Sequence, residues 1–287
     1  MSSVVDVVLV NYNAKDPLLA CLSTLQSHDV GRIVVVDNAS SDGSDSAVLA
    51  QFPQVDFVSS GANLGFGRAV NLGVEKTNAP LVLICNPDIE IHENAVARLV
   101  EAIDSNVDLA AVGPLIFDSG GQRYPSARMF PRLSDAIGHA FVGLISANNR
   151  FSRTYKMTDL DITHRQDVDW ISAACLLTRR TAFDAIGGFD PRYFMYMEDV
   201  DLCWRWREAG WGVAFEPSAT ITHLQGYSAE RRAYRMIVEH HRSLWQFLRR
   251  TTSGRSRLLL PLMSLGLAIR LGMALLQRRF RRGPTRQ

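Results

Sequence analysis

Asp6-Val7-Val8-Leu9-Val10-Asn11-Tyr12-Asn13 is an unbroken apolar run that closes on polar residues. Continuous rather than alternating hydrophobicity marks a strand covered on both faces, the habit of parallel sheets. Working outward, Pro17 to Ser27 has helical spacing through Leu18, Leu19, Leu22 and Leu25, and Arg32-Ile33-Val34-Val35-Val36 is a second strand ending in Asp37-Asn38. Ser41-Asp42-Gly43-Ser44 caps the next helix, and Val55 to Ser59 is a third strand. Gly61 to Asn71 runs through a glycine loop into another helix, and Leu81-Val82-Leu83-Ile84-Cys85 is a fourth strand ending in Asn86-Pro87-Asp88. This β-α-β-α-β-α-β alternation predicts an α/β fold with a mainly parallel sheet and helices on both faces. Ligands of such sheets bind beyond the carboxyl ends of the strands, and Asn11, Asp37, Asn63 and Asp88 all fall there.

A chain of 287 residues, 47% hydrophobic and 21% charged, is long enough for a sizeable core. Cys21, Cys85, Cys175 and Cys203 are widely spaced in apolar surroundings, which points to neither a disulfide framework nor a zinc site and fits a reducing compartment. No secretory leader is expected, because Val4 to Val10 is short, contains Asp6 and lacks a basic lead-in. The net charge of +2 hides an asymmetry. Residues 228–287 hold fourteen arginines against Glu230 and Glu239, leaving the rest of the chain net acidic. A basic C-terminus of this kind suits an anionic surface.

Further along, His92 to Ser105 is an amphipathic helix and Ala110 to Phe117 a strand. Asp118 to Asp167 is irregular and holds Arg123, Arg128, Arg132, Arg150, Arg153 and Arg165; a loop of this length inside a domain is usually functional or mobile. Trp170 to Thr178 resumes a strand, Thr181 to Ile186 is a short helix, and Gly212 to Thr222 is a strand ending at His223. Between them, Glu198-Asp199-Val200-Asp201 opens a helix with three carboxylates among aromatic and apolar neighbours. Negative charge in such surroundings needs a cation, a proton or a substrate hydroxyl to compensate it. Beyond Ser228 come arginine-rich helices, Arg231 to Arg250 and Leu258 to Leu276. The second is long enough to cross a bilayer, but Pro261, Ser264, Gly266 and the central Arg270 weaken a full span. An interfacial or re-entrant helix is the primary expectation, with a span and a buried core helix as alternatives.

Val36 to Ser44, Asn63 to Asn71, Asn86-Pro87-Asp88 and Gly188-Phe189-Asp190 with Glu198 to Leu202, in this order, resemble the family 2 glycosyltransferases over roughly residues 4 to 250. Within them the chain is similar to bacterial rhamnosyltransferases acting on polyprenyl-diphosphate-linked sugars. The resemblance implies a GT-A fold and transfer with inversion at the sugar carbon. It also implies that Asp37 accepts the imide N–H of a pyrimidine base, with Asn11 and Tyr12 nearby. Asn63 and Arg68 line the nucleotide or sugar, and Gly65 and Gly67 serve tight backbone geometry. Asn86-Pro87-Asp88 is similar to the family's D-x-D motif with Asn86 in place of the first carboxylate. Asp88, with His223, would hold Mg²⁺ or Mn²⁺ against the donor diphosphate. Asp199 is implied as the general base, Glu198 as holding acceptor hydroxyls or sharing that role, and Asp201 as structural. Trp170 lies where the family has a tryptophan next to the acceptor, and Arg123, Arg128 and Arg132 are candidates for the acceptor diphosphate.

The resulting expectation is a transferase domain over 1–227, with a nucleotide-binding half (1–117) and an acceptor half (118–227), followed by a membrane-associating segment over 228–287. The donor implied is a nucleotide sugar, dTDP-L-rhamnose, and the acceptor a lipid-diphosphate sugar such as N-acetylglucosaminyl-diphospho-polyprenol. An anionic membrane surface, at the cytoplasmic face of the cell membrane, is the remaining partner. A non-catalytic sugar-nucleotide-binding or scaffolding subunit, and the same chemistry with a different donor sugar, are the competing readings. Nucleic acid is not expected as a partner, since the arginines are not interleaved with aromatics and are followed by an apolar helix.

Overall fold

A computed structural model describes residues 4–130, 161–224 and 233–281. The apolar runs form β1 (Val5–Asn11), β2 (Ile33–Asp37), β3 (Asp56–Ser59) and β4 (Leu81–Cys85), joined by α1 (Lys15–Leu25), α2 (Ser44–Gln51) and α3 (Phe66–Val74). All pairings among these strands are parallel, and Asn11 and Asp37 stand side by side at the carboxyl edge. Asp6, the one charge inside β1, is buried and accepts the backbone N–H groups of Arg32, Asn78 and Ala79. A charge in a strand is tolerable when several amides satisfy it.

β5 (Ile89–Ile91), α4 (Ala95–Asp104) and β6 (Leu109–Asp118) follow, then the short strands β7 (Arg123–Tyr124), β8 (Ala127–Arg128), β9 (Gln166–Asp167) and β10 (Trp170–Ile171). β11 (Cys175–Arg179), α5 (Arg180–Ala185), α6 (Glu198–Glu208) and β12 (Gly212–His223) complete the part before the C-terminal helices. The main sheet runs β3-β2-β1-β4-β11-β6-β12-β5. β11 is antiparallel to both β4 and β6, whereas β6 and β12 are parallel. The sheet is therefore mixed, parallel in its first half, and it passes without a break across the expected division at residue 117. Strands from the second half are wedged among those of the first.

Valines of opposite parity feed opposite faces, as the two-residue period of a strand requires. Val8, Val10, Val34 and Val36 pack with Ala69, Val70 and Val74 of α3. Val7, Leu9 and Val35 pack with Leu18, Cys21 and Leu22 of α1 and Leu99 and Ile103 of α4. Asp42 caps two helices at once, accepting Lys15 N–H at the start of α1 and Ser44 N–H at the start of α2.

The strand expected over Trp170 to Thr178 is broken. Trp170 and Ile171 pair with β8, while Cys175 to Arg179 pair with β4, so the chain turns at Ala173-Ala174 to change sheets. The C-terminal part is α7 (Ala233–Thr251), a 3₁₀ turn (Gly254–Leu259) and α8 (Leu260–Arg281). Arg132, Arg150 and Arg153 lie outside the described residues.

Candidate active site

The carboxyl edge of the parallel strands gathers the residues read as donor-binding. Asp37 is buried; one carboxylate oxygen accepts Asn11 Nδ2 at 2.9 Å and the other accepts Ser40 N–H at 2.9 Å. Asn11 is fully buried and also donates to Ser40 Oγ. Its side-chain N–H groups are thus spent on aiming Asp37 and holding Ser40, while Oδ1 has no hydrogen-bond partner. Tyr12 is half-buried at the same edge. Asn38, which sequence reading passed over, accepts Leu64 N–H and donates to Gly65 O, tying the strand end to the glycine loop. Its signal was its place directly after Asp37 at a strand end.

The glycine loop is clamped to the segment before α6. Asn63 Oδ1 accepts Gly65 N–H, and Phe66 N–H donates to Phe194 O. Gly65 has φ +84°, and a Cβ there would collide with Phe194 O. Gly67 has Phe189 against it in the same way, at 2.9 Å from where its Cβ would be. Both glycines thus serve close backbone approach. Asn71, also missed, makes two bonds to one residue, donating to Phe189 O at 2.8 Å and accepting Phe189 N–H at 2.9 Å. Arg68 is exposed and spends its Nε–H on Pro191 O at 2.7 Å.

After β4, Asn86 donates its backbone N–H to Ala174 O. His223, at the end of β12, brings Nε2 to 3.1 Å from Asp88 Oδ1 and 3.3 Å from Asn86 Nδ2. Parallel pairing of β12 with β6 and antiparallel pairing with β5 carry His223 to this edge, 135 positions from Asp88.

The αL pair Tyr196 (φ 67°) and Met197 (φ 64°) turns the chain into α6. Glu198, 7% exposed, has Oε2 without a hydrogen-bond partner. Burial, and then the neighbouring Asp199 charge, push its carboxyl up to about 8. Asp199 keeps part of its surface open. Burial raises its pKa, opposed by the N–H groups of Val200 and Ala173 and by the Arg128 charge. Burial and mutual repulsion thus disfavour both carboxyls of the pair being charged together. Asp201 points away: it is 0% exposed and bonds Tyr193 OH, Arg205 Nε at 2.7 Å and, through charge, Arg250.

Trp170 departs from its expected role. It is 5% exposed, its indole N–H donates to Met129 O, and Arg128 covers its ring at 5.0 Å. No face is left for a sugar; the ring carries Arg128, which faces Asp199. Arg123 stands over Phe215 at 6.0 Å.

Residues 6–187 match the family described as Glycosyl transferase family 2. The N-acetylglucosaminyl-diphospho-decaprenol L-rhamnosyltransferase of Mycobacterium tuberculosis is 37% identical over 268 residues, 88% of this chain and 87% of the relative. This chain belongs to glycosyl transferase family 2. Rhamnosyltransferase WbbL of Escherichia coli is 27% identical over 257 residues, covering 85% of this chain and 92% of that one. Among solved structures, a mannosyltransferase from Pyrobaculum calidifontis in complex with GDP-Man and Mn²⁺ superposes with a TM-score of 0.59 at 16% identity, over 96% of this chain and 76% of that one. GalNAc-T7 with UDP, GalNAc and Mn²⁺ gives 0.58 at 15% identity, over 77% and 43%. The fold of this glycosyltransferase is thus GT-A.

A divalent cation is the group this family implies, and the residues present fit one. A carboxylate oxygen and an imidazole nitrogen 3.1 Å apart are spaced as neighbouring ligands of one ion; the carboxylate suits Mg²⁺ or Mn²⁺, and the borderline imidazole nitrogen suits Mn²⁺ better than Mg²⁺. Among the described residues no group of three or more His, Cys, Asp or Glu could hold a metal, so donor phosphate and water would supply the remaining positions.

Proposed function

We propose that this glycosyltransferase moves L-rhamnose from dTDP-L-rhamnose to a lipid-linked acceptor, N-acetylglucosaminyl-diphospho-polyprenol, at the cytoplasmic face of the cell membrane. The observation that carries the reading is 37% identity, over 88% of this chain, to a rhamnosyltransferase whose printed acceptor is a GlcNAc-diphospho-decaprenol. In support, a carboxylate held as Asp37 is matches the single imide donor of a thymine or uracil edge.

In the proposed reaction Asp37 accepts the base N–H, and Arg68 pairs through its terminal nitrogens with the donor diphosphate. Asp88 and His223 would hold Mg²⁺ or Mn²⁺, whose charge would offset that of the departing nucleoside diphosphate. The acceptor hydroxyl oxygen attacks the anomeric carbon from the face opposite the diphosphate, its proton passes to an Asp199 oxygen, and the sugar–phosphate C–O bond breaks with inversion. Ala173 N–H and Arg128 favour the ionised form of Asp199 against the burial that raises its pKa. Protonated Glu198 donates its O–H to a second acceptor oxygen, using the atom that lacks a partner.

The test is incubation of the full chain with a panel of labelled nucleotide sugars and synthetic GlcNAc-diphospho-polyprenol in the presence of Mg²⁺ or Mn²⁺. Rhamnosylated lipid from dTDP-L-rhamnose, lost in chelator, is the expected result. Transfer only from another donor overturns the sugar assignment, and tight nucleotide binding without any transfer would favour a non-catalytic subunit.

A further inference from the structure

Residues Gly254–Arg279 form a helical stretch long and apolar enough to cross a membrane, with none of its apolar window buried. Its most exposed large side chains are Leu258, Leu262, Leu265, Ile269 and Leu276, from 55% to 83% exposed. Steps of three, four and seven residues place the last four on one stripe of α8, and Leu258 precedes them in the 3₁₀ turn. On the other side, Met263, Leu267 and Ala274 are better covered.

Arg270 belongs to the covered side. Its charge acts on His240 and His241 of α7: burial first, then the charges of His241 and Arg270, hold His240 below its usual range at about 4, and burial lowers His241 against the Ile237 carbonyl that raises it, with Arg270 lowering it further. Positions 240 and 270 are equally far from the connecting turn, so α7 and α8 form an antiparallel hairpin. The charge that weakened a membrane reading in the sequence is thus turned toward protein, and the exposed stripe is free of charge from Leu258 to Leu276.

α7 is fixed to the catalytic segment. Ser243 donates to Met195 O, Phe247 is 2% exposed against Trp204, and Arg250 pairs with Asp190 and Asp201. Tyr196 packs edge-on to His240 at 5.3 Å. A transverse α8 would have to draw α7 into hydrocarbon with Glu239, Arg242 and Arg249, which costs far more than leaving the hairpin outside. Arg255 and Arg257 precede the stripe, and Arg278 and Arg279 follow it, so cations flank the apolar surface at both ends. That pattern matches an apolar acyl boundary bordered by lipid phosphates.

We infer that α8 lies in the plane of an anionic lipid surface, its leucine stripe immersed and its end arginines among the phosphates, with α7 bracing the Asp190–Asp199 segment against that surface. The inference deepens the membrane location proposed above and is independent of which sugar is transferred.

Nitroxide labels at Leu262→Cys, Leu265→Cys, Ile269→Cys and Leu276→Cys, made singly in the full chain, test it, because the four native thiols are buried. Depth is read by oxygen and nickel-chelate collision on vesicles of phosphatidylcholine with phosphatidylglycerol. One shared, shallow depth for all four labels is expected. A profile deepest at Ile269 and shallow at either end of the helix overturns the inference in favour of a span. Labels that stay in water, or a lipid-free dimer that shields all four, overturn it in favour of no membrane contact or a second copy. Independently, Leu262→Glu/Leu265→Glu/Ile269→Glu should lower vesicle partitioning at least about a hundredfold with an unchanged melting midpoint. Loss of sugar transfer with the depth pattern intact would break the proposed reaction and leave this inference standing.

Discussion

The two sides of the first turn of α6 treat the same chemical group in opposite ways. Asp201 is wholly buried yet saturated, with Arg205, Arg250 and Tyr193 around it. Glu198 and Asp199, on the site side, have no side-chain hydrogen-bond partner of this kind: Glu198 Oε2 has none at all, and Asp199 accepts only backbone N–H groups, Val200 at 2.9 Å and Ala173 at a long 3.4 Å. A saturated carboxylate contributes to holding the helix in place, while an under-satisfied one keeps capacity for a substrate proton. In the proposed reaction, the difference between neighbours is one between support and chemistry.

The largest expected effect breaks the comparison on the site side. Asp199→Asn should lower the transfer rate by about 10²–10⁴-fold while leaving the melting midpoint unchanged or higher, since burial already disfavours its charge. A turnover close to wild type would move the base elsewhere. On the support side the pattern inverts: Asp201→Ala leaves buried Arg205 uncompensated and should cost ~3–5 kcal/mol in urea unfolding, with the rate per folded molecule little changed.

Glu198 sharpens the contrast through pH. Its carboxyl titrates near 8 in the fold against the ordinary 4.5, so the folded state binds more protons across that interval. Stability should then fall as pH rises from about 4.5 to about 8, with a slope of at most ~1.4 kcal/mol per pH unit. Glu198→Gln should flatten the curve of melting midpoint against pH; an unaltered slope would mean the proton sits on another group. The smallest effect concerns the clamp that sets where both faces stand. Asn71→Ala leaves the Phe189 N–H and C=O unpaired and should cost ~1–3 kcal/mol, with part of the activity restored by Asn71→Asp at low pH, where the acid can donate.

Much of the site was legible because strand ends announce themselves. Asn11, Asp37 and Asp88 each follow an apolar run, and their convergence at one sheet edge is a consequence of parallel pairing. Asn38 and Asn71 were missed for a different reason. Their bonds reach Gly65 and Phe189, and nothing local in either segment records a partner 27 or 118 positions away. Trp170 stood between two uses, platform and core, and only the Met129 carbonyl and Arg128 on its ring favour the core.

By itself the sequence determined what each short segment wants: continuous apolar strands, glycines where backbones meet closely, carboxylates at a helix start, and an apolar helix between arginines. These follow from local sterics, periodicity and solvation. Tertiary structure alone decided that β11 enters the sheet between β4 and β6, that His223 meets Asp88, that Asp201 rather than Asp199 is saturated with partners, and that Arg270 turns toward α7. Each of these depends on which distant groups share a space, and electrostatic compensation is a property of that space rather than of the residue.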